Sequence, residues 1–343
     1  MRKLIILLFF IPIVNYAQNN LRYSNTILVE DLKKHLTILA SDSLQGRETG
    51  REGQKLAAEY IKNHFINIGI PPYKDDTYYQ KFETESERHI CKYNCEDCEE
   101  DFITTLFAKK RLVKGENVLG YIEGSDLKEE LIMITAHYDH LGKHDTLIFN
   151  GADDNGSGTS AVLEIAEAFM LAKKEGNGPR RSVLIMPVSG EEKGLLGSAH
   201  YTENPIYPLE MTVANLNIDM IGRLDYYNDT ADYVYLIGSD MLSQELHEIS
   251  EEVNKKHIGL KLDYTFNSEE DPNKYYYRSD HYNFAKNNIP VIFYFNGIHD
   301  DYHKTTDTIE KIDFNKIETI TRLVFLTAWE LANREERIKV DKN

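Results

Sequence analysis

The sequence predicts an α/β fold in which a mixed, mostly parallel central sheet is flanked by helices. Short apolar runs with the length of buried strands recur, at 131–136, 182–188, 213–218, 233–237 and 291–295. Segments with apolar residues at helical spacing lie between and after them, at 158–173, 241–256 and 316–333. Strands that alternate with helices in this way are typical of parallel sheets with helical connections.

Two further helices are predicted before this alternation begins, at 29–40 and 52–68, with a loop at 41–47 between them. The second helix has apolar residues at helical spacing, namely Leu56, Tyr60, Ile61, Phe65 and Ile68. Gly69 follows it, at the position where glycine commonly ends a helix, and Pro71 and Pro72 confirm the break.

The composition excludes several classes of protein. The chain has 343 residues, with 56 acidic and 39 basic side chains and a formal net charge of −17. A protein that coats nucleic acid or binds membranes through a polybasic surface needs an excess of positive charge, which this chain lacks. Three cysteines in 343 residues also exclude a disulfide-dense scaffold.

The first 17 residues have the layout of a secretory signal peptide. Arg2 and Lys3 precede an uncharged run at 4–14, and Ala17 lies at the expected cleavage position. The run is shorter than the roughly 20 apolar residues that a spanning helix needs, although an uncleaved anchor is the alternative. We therefore expect residues 18–343 to form a single domain that is exported, either periplasmic or secreted, without stable membrane insertion.

Residues 74–116 form the least regular stretch of the sequence, and we interpret them as a surface insertion or lid. The stretch contains Cys91, Cys95 and Cys98 among many acidic residues. Their spacing resembles that of iron–sulfur radical enzymes, but export and acidic flanks count against such a cluster. A local disulfide that leaves one free thiol is expected instead, and a zinc site that includes His89 is the lesser alternative.

Polar residues follow the strand-like run at 131–136. His137 and Asp139 are two residues apart, so in extended backbone their side chains share a face, while His140 points elsewhere. One nitrogen of His137 could then bind a metal ion while the Asp139 carboxylate holds the other nitrogen. Taken alone, such a pair is more often part of a surface turn.

Three acidic groups and one histidine occupy comparable positions later in the chain, namely Asp153-Asp154, Glu191-Glu192, Asp219 and His303. The first group lies in a glycine-rich loop before a helix, where a single carboxylate would suffice as a cap. Glu191 and Glu192 follow an apolar strand, and their side chains should diverge. One could bind a metal ion while the other acts as a general base towards water.

These candidate ligands are imidazoles and carboxylates, without a thiolate. That donor set suits zinc, with manganese or cobalt as alternatives. One carboxylate shared between two groups of ligands would produce a dinuclear site, with ions about 3.5–4 Å apart.

Five segments occur in the order found in one enzyme family: ITAHYDHLG (134–142), NGADDNGSGTSAVLE (150–164), VSGEEKGLLGS (188–198), NIDMIG (217–222) and YHKTTDT (302–308). In these segments the sequence resembles peptidase family M28, the co-catalytic zinc aminopeptidases and their relatives. Residues 40–61 and 279–293 look like the family as well, so the resemblance covers about 40–335. It implies a zinc-exopeptidase-like fold.

The resemblance also implies two zinc ions per chain, held by His137, Asp154, Glu192, Asp219 and His303. His137 and Asp219 would bind one ion, Glu192 and His303 the other, and Asp154, rather than Asp153, would bridge the two.

Four other positions gain expected roles from the resemblance. Glu191 would be the general base, and Asp139 would orient His137. Tyr302 and Asp307 would lie just outside the ligands. Lys304 stands where relatives often place a small hydroxyl residue, which leaves the local substrate contacts open.

The function implied is that of an exported metallopeptidase with peptide substrates, most closely an aminopeptidase. Carboxypeptidase or dipeptidase specificity is not separated by the sequence, and neither is the oligomeric state. Two alternatives are a glutaminyl-cyclase-like acyltransferase with a single zinc ion and a metal-stabilised binding protein without catalysis.

Overall fold

The computed structural model describes residues 20–88 and 109–342. The predicted signal segment and the three cysteines lie outside these residues, so both predictions stay open. The helices with two described ends are α1 (Val29–Leu39), α2 (Glu52–Ile68), α3 (Gly158–Lys174), α4 (Leu196–Glu203), α5 (Gln244–His257), α6 (His281–Ala285) and α7 (Phe314–Asn333). The strands are β1 (Tyr79–Arg88), β2 (Lys109–Val118), β3 (Gly120–Ile122), β4 (Leu127–His137), β5 (Gly142–His144), β6 (Leu147–Phe149), β7 (Arg181–Val188), β8 (Thr212–Ile218), β9 (Tyr233–Ile237), β10 (Lys261–Asp263) and β11 (Val291–Phe295).

Within the described residues, seven strands form the central sheet in the order β10–β9–β11–β8–β4–β7–β3. The pairs β7–β4, β4–β8, β8–β11 and β9–β10 are parallel, whereas β9–β11 and β3–β7 are antiparallel. The predicted mixed, mostly parallel sheet is therefore confirmed. Strands β7 and β8 are buried along their whole length, which explains why they appear in the sequence as continuous apolar runs.

The two faces of the sheet are buried in two separate hydrophobic cores. In β4, Ile132 and Ile134 belong to one core, and Leu131 and Met133 belong to the other, because successive side chains of a strand point to opposite faces. Residues of α1, α2, α3, α5 and α7 cover the first face, and residues of α4 and α6 cover the second. In the part of the chain that is described, no helix is long and apolar enough to cross a bilayer.

Hydrogen-bonding caps set the ends of several helices. Ser243 accepts a hydrogen bond from the Leu246 N–H, so α5 begins three residues later than its apolar pattern indicates. Asp313 caps α7 in the same way, and α7 begins two residues before the predicted start. Gly69 ends α2 with a φ of 87°, as the sequence predicts.

The two ends of the 74–116 stretch form a regular antiparallel pair that the sequence did not indicate. Strand β1 pairs with β2 from Tyr79 opposite Val118 to Arg88 opposite Lys109. Both strands are rich in charged residues, and Phe82 and Val113 are among the few apolar side chains that they bury. The apolar alternation that predicts a strand is therefore weak here. The role of the stretch as an insertion or lid remains a prediction.

Arg47 holds three parts of the chain together from inside the protein. Its buried guanidinium donates to the main-chain carbonyls of Leu39 (2.5 Å), Tyr138 (2.7 Å), Asn150 (2.7 Å) and Gly151 (2.9 Å). These carbonyls belong to the end of α1, the residue after β4 and the loop before α3. Burial lowers the pKa of Arg47 to about 10, which still leaves the side chain charged at neutral pH.

Replacing this buried cation should destabilise the whole domain. Arg47→Met leaves buried carbonyls without donors, so we expect the free energy of unfolding to fall by about 3 kcal/mol or more. Arg51→Met is the matched control, because Arg51 is half exposed and its contact with Glu48 is 3.6 Å long. In chemical denaturation, Arg51→Met should lower the free energy of unfolding by at most about 1 kcal/mol. Equal losses in the two variants would contradict this role for Arg47.

Candidate metal centre

The carboxyl ends of three neighbouring strands bring the predicted ligands together. His137 is the last residue of β4, Asp219 follows β8 directly, and Glu191 follows β7 after Ser189 and Gly190. Strand β4 lies between β7 and β8 and runs parallel to both, so the three strand ends share one edge of the sheet. Such an edge is the usual location of binding sites in open α/β sheets.

The first group of candidate ligands consists of His137, Asp154 and Asp219. The Nε2 atom of His137 lies 3.3 Å from Asp154 Oδ1 and 3.3 Å from Asp219 Oδ1. All three side chains are buried, and one ligand atom from each lies within 4.8 Å of the others. The group could therefore hold a metal ion.

The second group contains Asp154 again, together with Glu192, His140 and His303. His303 Nε2 lies 3.1 Å from Asp154 Oδ2 and 3.2 Å from Glu192 Oε2. His140 Nδ1 lies 2.8 Å from Glu192 Oε1 and 3.7 Å from Asp154 Oδ2. The two oxygens of Asp154 thus face different groups, as expected of a carboxylate shared by two cations.

The sequence-based prediction for His140 is wrong, because this side chain points into the site. Strand β4 ends at His137, so the alternation of faces along an extended chain no longer applies three residues later. The main-chain N–H of His140 instead donates to the Arg47 carbonyl (3.3 Å), and the ring atom Nδ1 lies 2.8 Å from Glu192 Oε1. Its position in a cluster of two histidines and one aspartate was the signal that could have identified it.

Asp139 contacts His137 differently from the predicted arrangement. The main-chain carbonyl of Asp139 lies 3.1 Å from His137 Nδ1, whereas its carboxylate oxygen Oδ1 is 3.9 Å away. The carboxylate accepts hydrogen bonds from the Thr49 hydroxyl (2.5 Å) and from the Glu191 N–H (3.3 Å). Asp139 therefore holds the ring of His137 through its backbone and the Glu191 turn through its side chain.

Glu191 and Glu192 point to different places, as expected for adjacent residues. Glu192 faces His140 and His303, whereas Glu191 lines a cavity together with His137 and Asp219. Among the described residues, Glu191 belongs to neither group of candidate ligands. Its carboxylate is thus available beside the metal centre for another purpose.

The imidazoles stabilise the ionised form of the shared carboxylate. Burial alone would raise the pKa of Asp154, but His140, His137 and His303 outweigh it and hold this pKa well below its usual value. Burial likewise opposes charge on His303, but its contacts with Asp154 and Glu192 raise its pKa to about 10. Without metal, a positive charge on His303 therefore faces the ionised carboxylates of Asp154 and Glu192.

The pKa of Glu191 is shifted in the opposite direction from that of Asp154. Burial raises its pKa well above the ordinary value, His137 partly offsets this, and the carboxylates of Glu192 and Asp219 add to it. Bound divalent cations would reverse this effect, because a nearby positive charge favours the ionised carboxylate. Glu191 is therefore a group whose protonation depends strongly on the charge of the centre.

A further layer of side chains fixes the loop that carries Asp154. The carboxylate of Asp307 accepts hydrogen bonds from the Asp153 and Asp154 N–H groups, all at 3.1 Å. The side chain of Asp153 turns away from the ligands and lies 3.1 Å from His299 Nε2. This agrees with Asp154, not Asp153, as the shared carboxylate. His299 had no signal in the sequence beyond its residue type.

Two more contacts hold candidate ligands in place. The Ser279 hydroxyl donates to Asp219 Oδ2 (2.8 Å), and the ring of Tyr302 stacks on His303 with centroids 3.8 Å apart. Asp307 and Tyr302 thus lie next to the candidate ligands, as the family resemblance implies. Lys304 is exposed and does not line the cavity.

The donor set fits divalent metal ions of the zinc type. Each group combines imidazole nitrogen with carboxylate oxygen, and the carboxylates of Asp154, Glu192 and Asp219 would repel one another without cations between them. The imidazoles offset this repulsion at Asp154, whereas burial and the Asp154 carboxylate keep the pKa of Asp219 raised.

Comparison with known protein families shows the family to which this chain belongs. The profile of peptidase family M28 matches residues 117–328, which include all the candidate ligands. The chain belongs to peptidase family M28. This confirms the family indicated by the five sequence segments, and a hydrolase is the corresponding enzyme class.

Individual M28 relatives are aminopeptidases by name. Aminopeptidase YwaD of Bacillus subtilis is 27% identical over 236 residues, which cover 66% of this chain but only 47% of that protein. A probable leucine aminopeptidase of Trichophyton verrucosum is 28% identical over 81% of this chain and 74% of its own length. The match to the Bacillus protein thus spans about half of that relative.

Solved structures share the fold at low identity. The LapA aminopeptidase of Legionella pneumophila has a TM-score of 0.68 at 20% identity, covering 98% of this chain and 81% of its own. A zinc aminopeptidase from Bacillus subtilis has a TM-score of 0.65 at 18% identity, with coverages of 92% and 98%. Porphyromonas gingivalis glutaminyl cyclase has a TM-score of 0.60 at 16% identity, with coverages of 88% and 97%.

Metal removal should lower the thermal stability of this family member. A chelator exposes the buried carboxylates to mutual repulsion, and a ligand at about 100 times its Kd contributes about 2.7 kcal/mol to folding. We therefore expect added zinc to raise the Tm of the chelated protein by several degrees. The shift should be lost in Asp154→Asn and retained in Asp145→Asn, whose side chain is exposed. An identical Tm with and without metal would count against the site.

Proposed function

We propose that this protein is an exported aminopeptidase that uses two zinc ions to release N-terminal residues from peptides. The observation that carries the proposal is the sharing of Asp154 between two groups of ligands, with Glu191 beside them in an open cavity. A carboxylate between two metal positions and a separate carboxylate free to accept protons are the two elements of co-catalytic hydrolysis.

Five residues would hold the ions. His137, Asp154 and Asp219 would bind one ion, and Asp154, Glu192 and His303 would bind the other. When bound, such ions lower the pKa of water and polarise the carbonyl group under attack. Manganese or cobalt could replace zinc, since both accept the same nitrogen and oxygen donors.

Glu191 would act as general base and then as general acid. Its carboxylate accepts a proton from the attacking water and returns a proton to the amine that leaves when the peptide bond breaks. The hydrogen bond from its own N–H to Asp139 fixes the turn from which this side chain projects. Asp139 is thus proposed to position both His137 and Glu191.

Two alternatives are a glutaminyl-cyclase-like acyltransferase with a single zinc ion and a metal-stabilised binding protein. A glutaminyl-cyclase-like acyltransferase is supported by the shared fold of the bacterial cyclase, although likeness at 16% identity concerns the fold alone. A metal-stabilised binding protein would need no general base. The position of Glu191 in the cavity favours an enzyme over the second alternative.

Export is proposed from the N-terminal sequence only. The positive residues Arg2 and Lys3 and the apolar run at 4–14 support cleavage after Ala17. Mass spectrometry of the protein recovered outside the producing cell would test export and show whether the chain begins after Ala17.

Glu191→Gln should abolish turnover without emptying the site. We expect kcat to fall by about 10²–10⁴-fold, because the amide cannot accept a proton, while the metal content stays that of the wild type. Glu192→Gln is the matched contrast, since it should lower metal content as well. Peptide hydrolysis and elemental analysis of the same samples separate the two effects. Unchanged kcat in Glu191→Gln would refute the mechanism.

The proposed function also predicts a requirement for a free N-terminus. Metal-loaded protein should hydrolyse unblocked di- and tripeptides and leave their N-acetylated forms intact. Product analysis by mass spectrometry would identify the released residue. Release of ammonia from N-terminal glutaminyl peptides, as the α-amine displaces the side-chain amide nitrogen to form a pyroglutamyl ring, would favour the cyclase alternative if the peptide bonds stayed intact. Release of C-terminal residues from acetylated peptides would identify a carboxypeptidase.

A further inference from the structure

The cavity beside the metal centre has three chemically different parts. Candidate ligands and Glu191 form one part, and four apolar side chains form a second part, the apolar wall, namely Met220, Phe293, Phe295 and Ile298. Tyr275, Tyr302 and Arg278 complete the lining, and the side chain of Arg278 is exposed to solvent. The cavity therefore has an apolar body with a positive charge at its solvent-facing rim.

Arg278 is unusual among the arginines because it lacks an acidic partner. No carboxylate of the described residues lies within 4.0 Å of its guanidinium. Most other arginines with described side chains pair with a carboxylate, namely Arg22, Arg51, Arg180, Arg181, Arg223, Arg322, Arg334 and Arg337. Arg47 is saturated by carbonyls instead. In a chain with 56 acidic residues, an arginine left without a carboxylate at a cavity rim points to an external anion.

Two tyrosines restrict the position of this guanidinium. It lies over the ring of Tyr275, 5.0 Å from the centroid, and donates to the Tyr302 hydroxyl at 3.4 Å. Neither contact consumes the charge, because both partners are neutral. Since Tyr302 also stacks on His303, the guanidinium is connected to the candidate metal centre through a single side chain.

We propose that Arg278 is a specificity-determining residue that binds a carboxylate of the substrate. An arginine held by aromatic contacts presents a planar pair of donors that matches a carboxylate. The inference rests on the proposed function, since it assigns a substrate class to the same cavity. The substrate would place apolar atoms against the Phe293–Phe295 wall and its negative group at the rim.

This carboxylate has two sources in a peptide. It could be the side chain of an acidic N-terminal residue, or the C-terminal carboxylate of a dipeptide. Both place an anion within a few bonds of the scissile peptide group. Matched ligands that differ only in one carboxylate can separate them.

Binding is measured by calorimetry on the metal-loaded Glu191→Gln protein, in which hydrolysis does not consume the ligand. Glu-Ala-amide and Gln-Ala-amide differ in the side-chain carboxylate, and Leu-Ala and Leu-Ala-amide differ in the C-terminal carboxylate. We expect one pair to show a preference of about 10-fold or more for the carboxylate. The pair that shows it identifies the source.

The preference should disappear when Arg278→Met is added to Glu191→Gln, while the neutral ligands bind as before. Lys304→Met is the matched control, because Lys304 is a nearby exposed cation outside the cavity. It should leave the preference intact. Equal affinities within both pairs, or a preference that survives Arg278→Met, would overturn the proposal.

Turnover of Leu-Ala-amide by the unaltered protein tests the proposed function separately. Hydrolysis without any carboxylate preference would refute only the role of Arg278. An Arg278-dependent preference without hydrolysis of any peptide would retain that role and refute the aminopeptidase.

Discussion

The arrangement of the site depends on one electrostatic constraint, the burial of several carboxylates at one edge of the sheet. Like charges at this separation cannot all remain ionised in a buried environment unless positive groups lie between them. Imidazoles supply part of this charge, as the low pKa of Asp154 and the raised pKa of His303 indicate. Divalent cations would complete it. The fold therefore concentrates negative charge where cations could be held.

The order of the strands in the sheet brings the carboxylates and imidazoles together, and hydrogen bonds hold the loops that carry them. Parallel strands β7, β4 and β8 end side by side, which delivers ligands from distant parts of the chain to one edge. The loops between are fixed from outside the site. Arg47 binds the carbonyls of two of them, Asp307 binds the N–H groups of the Asp154 loop, and Asp139 holds the turn of Glu191. Geometry at the metal centre thus depends on residues that do not touch it.

The cavity contains residues for two different purposes, namely candidate metal ligands and side chains that would contact the rest of a substrate. Its candidate ligands would serve any hydrolysis that uses a metal-activated nucleophile, whereas its apolar wall and rim would select among the peptides of the proposed function. An apolar wall built on β11 and an arginine at the rim make different demands on the substrate. The proposed roles in reaction and in specificity therefore fall on different elements of the fold.

The sequence alone determined the strand–helix order, the mixed parallel sheet and the family, because buried parallel strands and ligand clusters at their ends leave local patterns. It also placed His137, Asp154 and Asp219 among the candidate ligands. Only the tertiary structure revealed the inward turn of His140, the backbone contact of Asp139 and the unpaired charge of Arg278. Each of these depends on where a strand ends or on which distant side chains become neighbours. No periodicity in the sequence records such contacts, because they arise between segments far apart in the chain.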